Sequence, residues 1–256
     1  MFDVLWQRAA DGRLYAEWLL SGLGWTLALA ILGWAIAFVV GVMVGAARTS
    51  RSRPIAVLAR LYVELFRNIP VLVQMFLWYF VLPEVVPAAI GDWIKQMPPP
   101  WGSFCPALVC LGLYTAARIA EQVKAGIESL PPGQREASAA LGLRPAQTYR
   151  RVILPQALRL IVPSLTSEVM AIYKNTSLAL TIGVLDLTSE ARQVSDATFQ
   201  TFAAFGAATL IYGVLALVAY QAMSIIDDRF CIPGQEVKRM RRRLLLGPPR
   251  SRIAAP

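Results

Sequence analysis

Histidine does not occur in this chain of 256 residues. Its absence removes Ser-His-Asp and Cys-His catalysis and most zinc chemistry together. Cysteine is scarce as well: Cys105, Cys110 and Cys231 are the only three, which give neither a disulfide framework nor a thiolate metal site. The chain has no GxxxxGK[ST] loop, so it does not hold nucleotide phosphates as a P-loop ATPase does. Without histidine, a metal cluster or paired catalytic acids, a membrane enzyme has nothing to work with, and no catalytic residue is assigned. Residues 1–20 lack the basic, apolar, small-residue progression of a secretory signal. Charged residues make up only 16% of the chain against 56% hydrophobic ones, too apolar for an ordinary soluble domain of this length.

The apolar residues are grouped. Residues 21–47 and 197–226 carry no charge, and each exceeds the roughly 20 residues a helix needs to cross a ~30 Å hydrocarbon core. Trp101 to Ala117 is charge-free and borrows a turn from its charged flank to cross. Residues 68–83 are charge-free too and follow a segment whose Arg60, Glu64 and Arg67 stand at helical spacing, which predicts one continuous helix entering from the interface. A fifth span over roughly 160–185 is interrupted by Glu168 and Lys174. The reading is an all-α polytopic membrane protein with five spans near 20–47, 58–84, 102–127, 158–184 and 200–226, a cytoplasmic loop at 128–157 and a basic tail at 227–256.

Charge sets the orientation. Residues 48–67 hold five arginines, and residues 118–159 hold six arginines and a lysine. The intervening connections are nearly neutral or acidic: Lys95 against Glu84 and Asp92, and Arg192 against Asp186, Glu190 and Asp196. The positive-inside rule places the basic segments in the cytoplasm, the amino terminus outside and the carboxyl terminus inside. The formal charge of +9 is therefore a topology signal. No aromatic residue interleaves the run Lys238 to Arg243, so nucleic acid is not the partner; anionic lipid headgroups near the tail are. Trp6, Tyr15 and Trp18 are expected at the outer interface, and Ala88 to Met97 as a short outer helix closed by Pro98 to Pro100. Gly41-Val-Met-Val-Gly45 is a close-approach element that suits either packing within the chain or a subunit contact.

The inner loop is the most structured non-membrane segment. Pro131-Pro132-Gly133 ends one helix, Gln134 to Leu143 restarts one, Gly142 and Pro145 punctuate it, Gln147 to Ile153 runs helical, and Pro155 marks entry to the fourth span. Within it, Glu136-Ala-Ser-Ala-Ala-Leu-Gly142, nine further residues and Val152-Ile-Leu-Pro155 resemble the EAA signature of bacterial ABC importer permeases. Ser138 replaces an alanine and Val152 an isoleucine of that pattern. Tyr62 to Gln74, Tyr114 to Ala117, Leu154 to Ala157 and Lys174 to Leu178 are similar to the polar amino acid subfamily. Leu113 to Lys124, Ile90 to Trp93 and Ser167 to Met170 resemble a membrane subunit of glutamate/aspartate importers.

The resemblance implies a type I importer core in the bacterial inner membrane, with Glu136, Ala137, Ser138, Leu141, Gly142, Leu154 and Pro155 coupling it to an ATPase. The implied partners are an ATPase dimer that binds ATP and Mg, a second and related permease protomer, and a periplasmic amino-acid-binding protein. The chain itself holds no cofactor or metal. A secondary transporter is the competing class, disfavoured by the small number of spans and the lack of an internal repeat.

Charged residues within spans are functional candidates by default. Arg118, Glu121, Lys174, Asn175, Thr176 and Ser177 are expected to line an anionic-substrate passage. Arg118 stands where related permeases commonly carry an uncharged residue, and a guanidinium grips a carboxylate through two parallel hydrogen bonds. The blander expectations are that Arg118 pairs with Glu121, three residues along the same helix, and that Glu168 contacts the inner loop. The resemblance points to acidic amino acids, with a neutral or basic amino acid as the runner-up.

Overall fold

A computed structural model describes residues 2–230; the basic run Lys238 to Arg243, Cys231 and most of the expected tail lie outside them. The first long helix, α1 (Tyr15–Arg48), is unbroken because its apolar run contains no proline. Its buried residues Leu29, Gly33, Ala37, Gly41 and Gly45 recur at four-residue spacing, which makes one face for a neighbour. That neighbour is α6 (Trp101–Glu128). A Cβ built on Gly41 would lie 2.7 Å from the Ile119 Cβ, and one on Gly45 would lie 2.6 Å from the Val123 Cβ. The GxxxG element is thus spent on packing within the chain.

The α2 helix (Arg53–Asn68) does not continue into α3 (Val71–Phe76). The chain bends by 105° between them, which corrects the expectation of one continuous helix. Pro70 has no N–H to donate and forces the preceding Ile69 into an extended conformation, with ψ 129. Two backbone carbonyls lose their helical partners at the break, and the buried Gln74 amide donates to both, to Phe66 O at 2.7 Å and Ile69 O at 2.8 Å. A π-helical stretch Leu77–Val81 and the short α4 (Leu82–Val85) complete this arm. The outer connection folds into α5 (Ala88–Lys95).

After α6 the chain forms α7 (Gly133–Ala140), turns at Gly142 with φ +75, and enters α8 (Pro145–Thr148). No break in the helix separates the inner loop from the span at Pro155. Helix runs from α8 through a π-helical stretch Tyr149–Ile153 into α9 (Leu154–Asn175). Pro155 is at the start of α9, where the widened turn accepts its missing donor and its ring. A tighter 3-10 stretch, Thr176–Ile182, ends at Gly183 with φ +85.

The acidic connection after it is a helix of its own, α10 (Leu187–Thr198), capped by Asp186, whose carboxylate accepts from Ser189 N and Thr188 N. Finally α11 (Thr201–Phe230) crosses back. Among the described residues four helices are long and apolar enough to span a membrane, or five if the bent α2–α4 arm counts as one span.

One buried cluster occupies the α5 half of the bundle around Leu29, Met75, Phe104, Leu111 and Ile172. A second fills the other half around Ala37, Ile119, Val123, Ile153 and Ile161. The amino-terminal segment does more than rest at an interface: Val4 is buried with Val194, Ala203 and Ala204. At the opposite end, the Tyr149 hydroxyl donates to Thr49 O at 2.9 Å. This contact places the two arginine-rich connections together at one end.

Candidate functional site

The charges within the bundle pair between helices. Arg118 of α6 donates from Nε to Glu168 Oε2 at 2.6 Å and from Nη2 to Glu168 Oε1 at 3.2 Å. Gln122, one turn along α6, donates to the same Oε1 at 2.8 Å, and its own Oε1 accepts from Ser164 Oγ at 2.9 Å. The spacing of Arg118 and Gln122 on α6, and of Ser164 and Glu168 on α9, is four residues, so each pair stacks on one face. The Glu168 side chain is 5% exposed while that of Arg118 is 42% exposed. The carboxylate is the buried member, and the guanidinium is partly exposed beside Tyr114. Two of its five N–H groups are spent on Glu168, and the remaining ones keep the fork geometry that matches another carboxylate.

The expected Arg118–Glu121 pairing does not form. Glu121 is instead held by Arg48 of α1 and, at 3.1 Å, by Arg67 of α2. Three helices are tied together there at the arginine-rich end. Glu168, for its part, does not reach the inner loop. Sequence spacing could suggest only the local partner, because the α6–α9 contact joins residues 50 positions apart.

Nor does the structure bring Lys174 to Arg118. Lys174 is six residues beyond Glu168 and therefore roughly 9 Å along the helix and on a different face. It lines a separate cavity of about 390 Å³ with Ser177, Thr209 and Tyr212. Thr176 is fully buried and its hydroxyl donates to Tyr173 O at 2.6 Å, while Ser177 donates to Lys174 O at 2.7 Å. Both hydroxyls are occupied by their own helix. Asn175 is half-buried at the end of α9. Gln122 and Ser164 were not expected as part of the site; the i, i+4 spacing of Gln122 from Arg118 and of Ser164 from Glu168 was the signal available.

In the inner loop, Glu136, Ala137 and Leu141 are exposed, and Leu141 reaches 81%. Ser138 is buried and turns its hydroxyl back onto Gln134 O at 2.7 Å. No heavy atom lies within 4 Å of a Cβ built on Gly142, so its positive φ, and not crowding, is what calls for glycine. Arg135 lies over the Tyr149 ring, 5.7 Å from the centroid. Leu154 is half-buried and Pro155 exposed at the loop's exit into α9.

A second polar cluster lies at the α10 end. Asp186 is fully buried, Leu187 N donates to Thr26 Oγ1 at 3.0 Å, and the Tyr212 hydroxyl donates to Asp186 Oδ2 at 3.2 Å. Burial pushes the Asp186 and Glu190 carboxyls above their ordinary range.

Membrane-spanning helices, a paired charge network between two of them and an exposed, glycine-turned helix at the basic end define a polytopic membrane transport component. The family described as "Binding-protein-dependent transport system inner membrane component" matches residues 37–231. The chain belongs to this family and is an inner-membrane ABC permease for amino acids, a transport subunit and not an enzyme.

It is 44% identical to the glutamate/aspartate import permease protein GltJ of Escherichia coli (strain K12) over 91% of this chain and 96% of that protein. It is 37% identical to the nopaline transport system permease protein NocM of Agrobacterium fabrum over 82% and 86%. Among solved structures, one described as an amino acid ABC transporter with histidines is 30% identical, with a TM-score of 0.70 over 84% of this chain and 95% of that one.

Proposed function

We propose that this permease admits acidic amino acids, glutamate and aspartate, and that Arg118 recognises their side-chain carboxylate. The observation that carries the reading is the half-exposed guanidinium fixed through one edge by the buried Glu168, with Tyr114 one turn away as a further polar neighbour. Glu168 serves as an orienting group that holds the fork in place before substrate arrives, which lowers the ordering cost of binding. The likeness to a glutamate/aspartate permease supports the same substrate class. A different amino acid is the second reading, favoured by the nopaline relative.

The remaining assignments complete the proposal. The amino terminus is periplasmic and the carboxyl terminus cytoplasmic, on the positive-inside argument. The single permease domain carries its coupling loop at 128–157, where Glu136, Ala137, Leu141 and the Gly142 turn present α7 to a separate ATPase dimer that binds ATP and Mg. Ser138 supports that helix from within. A periplasmic binding protein delivers the amino acid, and a related second permease closes the passage. Lys174 and Ser177 form a polar patch facing α11, apart from the Arg118 site.

The test is radiolabelled glutamate uptake in proteoliposomes holding the assembled transporter, with glutamine and arginine as competitors. Arg118→Lys keeps the charge beside Glu168 but loses the fork. Glutamate uptake should fall by roughly tenfold or more, with assembly and basal ATP hydrolysis unchanged. Wild-type uptake by this variant, or wild-type competition by arginine or glutamine equal to that by glutamate, would remove the assignment.

A further inference from the structure

Between α1, α9 and α11 at the arginine-rich end lies a cleft of about 490 Å³ that the Arg118 site does not use. Trp34 and Phe38 of α1, Leu158 and Val162 of α9, and Met223 and Ile226 of α11 line it, and among the described residues Arg159 is the one charged side chain in its wall. At ~100° per residue, Leu158 and Val162 lie roughly 80–120° around α9 from Glu168, and Arg159 roughly opposite it. The cleft therefore opens on a face of the helix turned away from the charge network.

Its depth is informative. The α9 residues in its wall run from Leu154 to Leu165, about 16 Å of helix rise, or half of a ~30 Å hydrocarbon core. That is the depth of a single leaflet. Arg159 is exposed, and among the described residues no hydrogen bond or ion pair engages it. Asp227 and Asp228, on the adjoining turn of α11, do not line the cleft. Arg150 and Arg151, two turns earlier along the same helix, are exposed at the same end.

An apolar cleft one leaflet deep with a lone cation in its wall is complementary to one molecule of the surrounding medium. We propose that it is a binding site for an anionic phospholipid of the arginine-side leaflet, one acyl chain lying along Leu158 and Val162 towards Trp34 and the phosphate on Arg159. The acyl chain supplies the apolar surface, and the Arg159 guanidinium supplies the preference for negative headgroups, as basic pockets between spanning helices do. The lipid would wedge the root of α9 against α11, just beyond the π-helical stretch by which the inner loop joins α9.

The test uses the full-length chain, alone and in the assembled transporter, in nanodiscs of equimolar phosphatidylglycerol and phosphatidylethanolamine, with retained lipid read by native mass spectrometry after release. Phosphatidylglycerol should be retained preferentially, and Arg159→Glu should lower its retention by roughly tenfold. Leu158→Trp, which fills the cleft, should lower retention of both lipids with the helical content unchanged. Arg192→Glu on α10 should match the wild type. Equal retention of the two lipids by the wild type, or unchanged retention by Arg159→Glu, would overturn the proposal. So would loss of the lipid on assembly, which would show that a partner subunit fills the cleft, or a marked gain in a chain ending at Phe230, which would show that residues 231–256 do.

Discussion

Removing one member of the Arg118–Glu168 pair should not cost the same as removing the other. Arg118→Ala leaves a carboxylate that is 5% exposed with a single remaining side-chain donor, the Gln122 amide at 2.8 Å. Stranding a buried charge in this way costs about 3 kcal/mol, the lower end of what breaking buried pairs costs. Glu168→Gln strands a guanidinium that is 42% exposed and can be solvated, so the loss is about 1 kcal/mol, that of one good hydrogen bond. The double variant removes both charges and should be more stable than Arg118→Ala alone, at a total of about 2 kcal/mol, which makes the two positions coupled by about 2 kcal/mol. Chemical denaturation of the purified permease in detergent, followed by tryptophan fluorescence, measures all four proteins. If Glu168→Gln is as destabilising as Arg118→Ala, or the double variant is the least stable, the carboxylate is not the buried, dependent partner and the orienting role falls with it.

Two further outcomes follow from local geometry. Gly142→Val should lower coupled uptake by straining a φ of +75 by about 1–2 kcal/mol, whereas Gly142→Asn, which tolerates that region, should retain more. Equal loss in both would mean that a side chain at this open position obstructs the ATPase, and that strain is not the cause. Asp186 and Glu190 have carboxyl pKa values raised by burial, so the folded state holds protons that the unfolded chain releases. Their contribution is present at acid pH and is lost as pH rises from about 4 through the raised folded values. Melting curves across that range should show stability falling with pH, and Asp186→Asn should flatten the decline while keeping the α10 cap. A slope unchanged in that variant would exclude Asp186 as its source.

Periodicity and charge, read along the chain, determined the helical class, the long apolar spans, the basic connections and the glycine turn in the inner loop. These depend on neighbours in sequence: a run of apolar residues is long enough to cross or it is not, and Gly142 turns a helix using only its own backbone. The EAA spacing belongs to the same class, since it orders a loop helix and its turn within twenty residues.

Pairing across the bundle was decided elsewhere. Glu121 reads as the partner of Arg118 because they are three residues apart, yet Glu121 faces Arg48 and Arg67, and Arg118 faces Glu168. Which way a helix face turns is set by what packs on it, and the close α1–α6 approach at Gly41 and Gly45 rotates α6 accordingly. The bend at Pro70 follows the same logic. Proline marks a possible break in the sequence, but only the folded chain puts Gln74 where its amide can serve both freed carbonyls, and that contact allows a 105° turn without stranding buried backbone. Lys174 and Arg118, both charged and both in spans, were separated because 3.6 residues per turn carries six residues to another face. Sequence spacing settles what one helix can do alone, and tertiary packing settles which helix it meets.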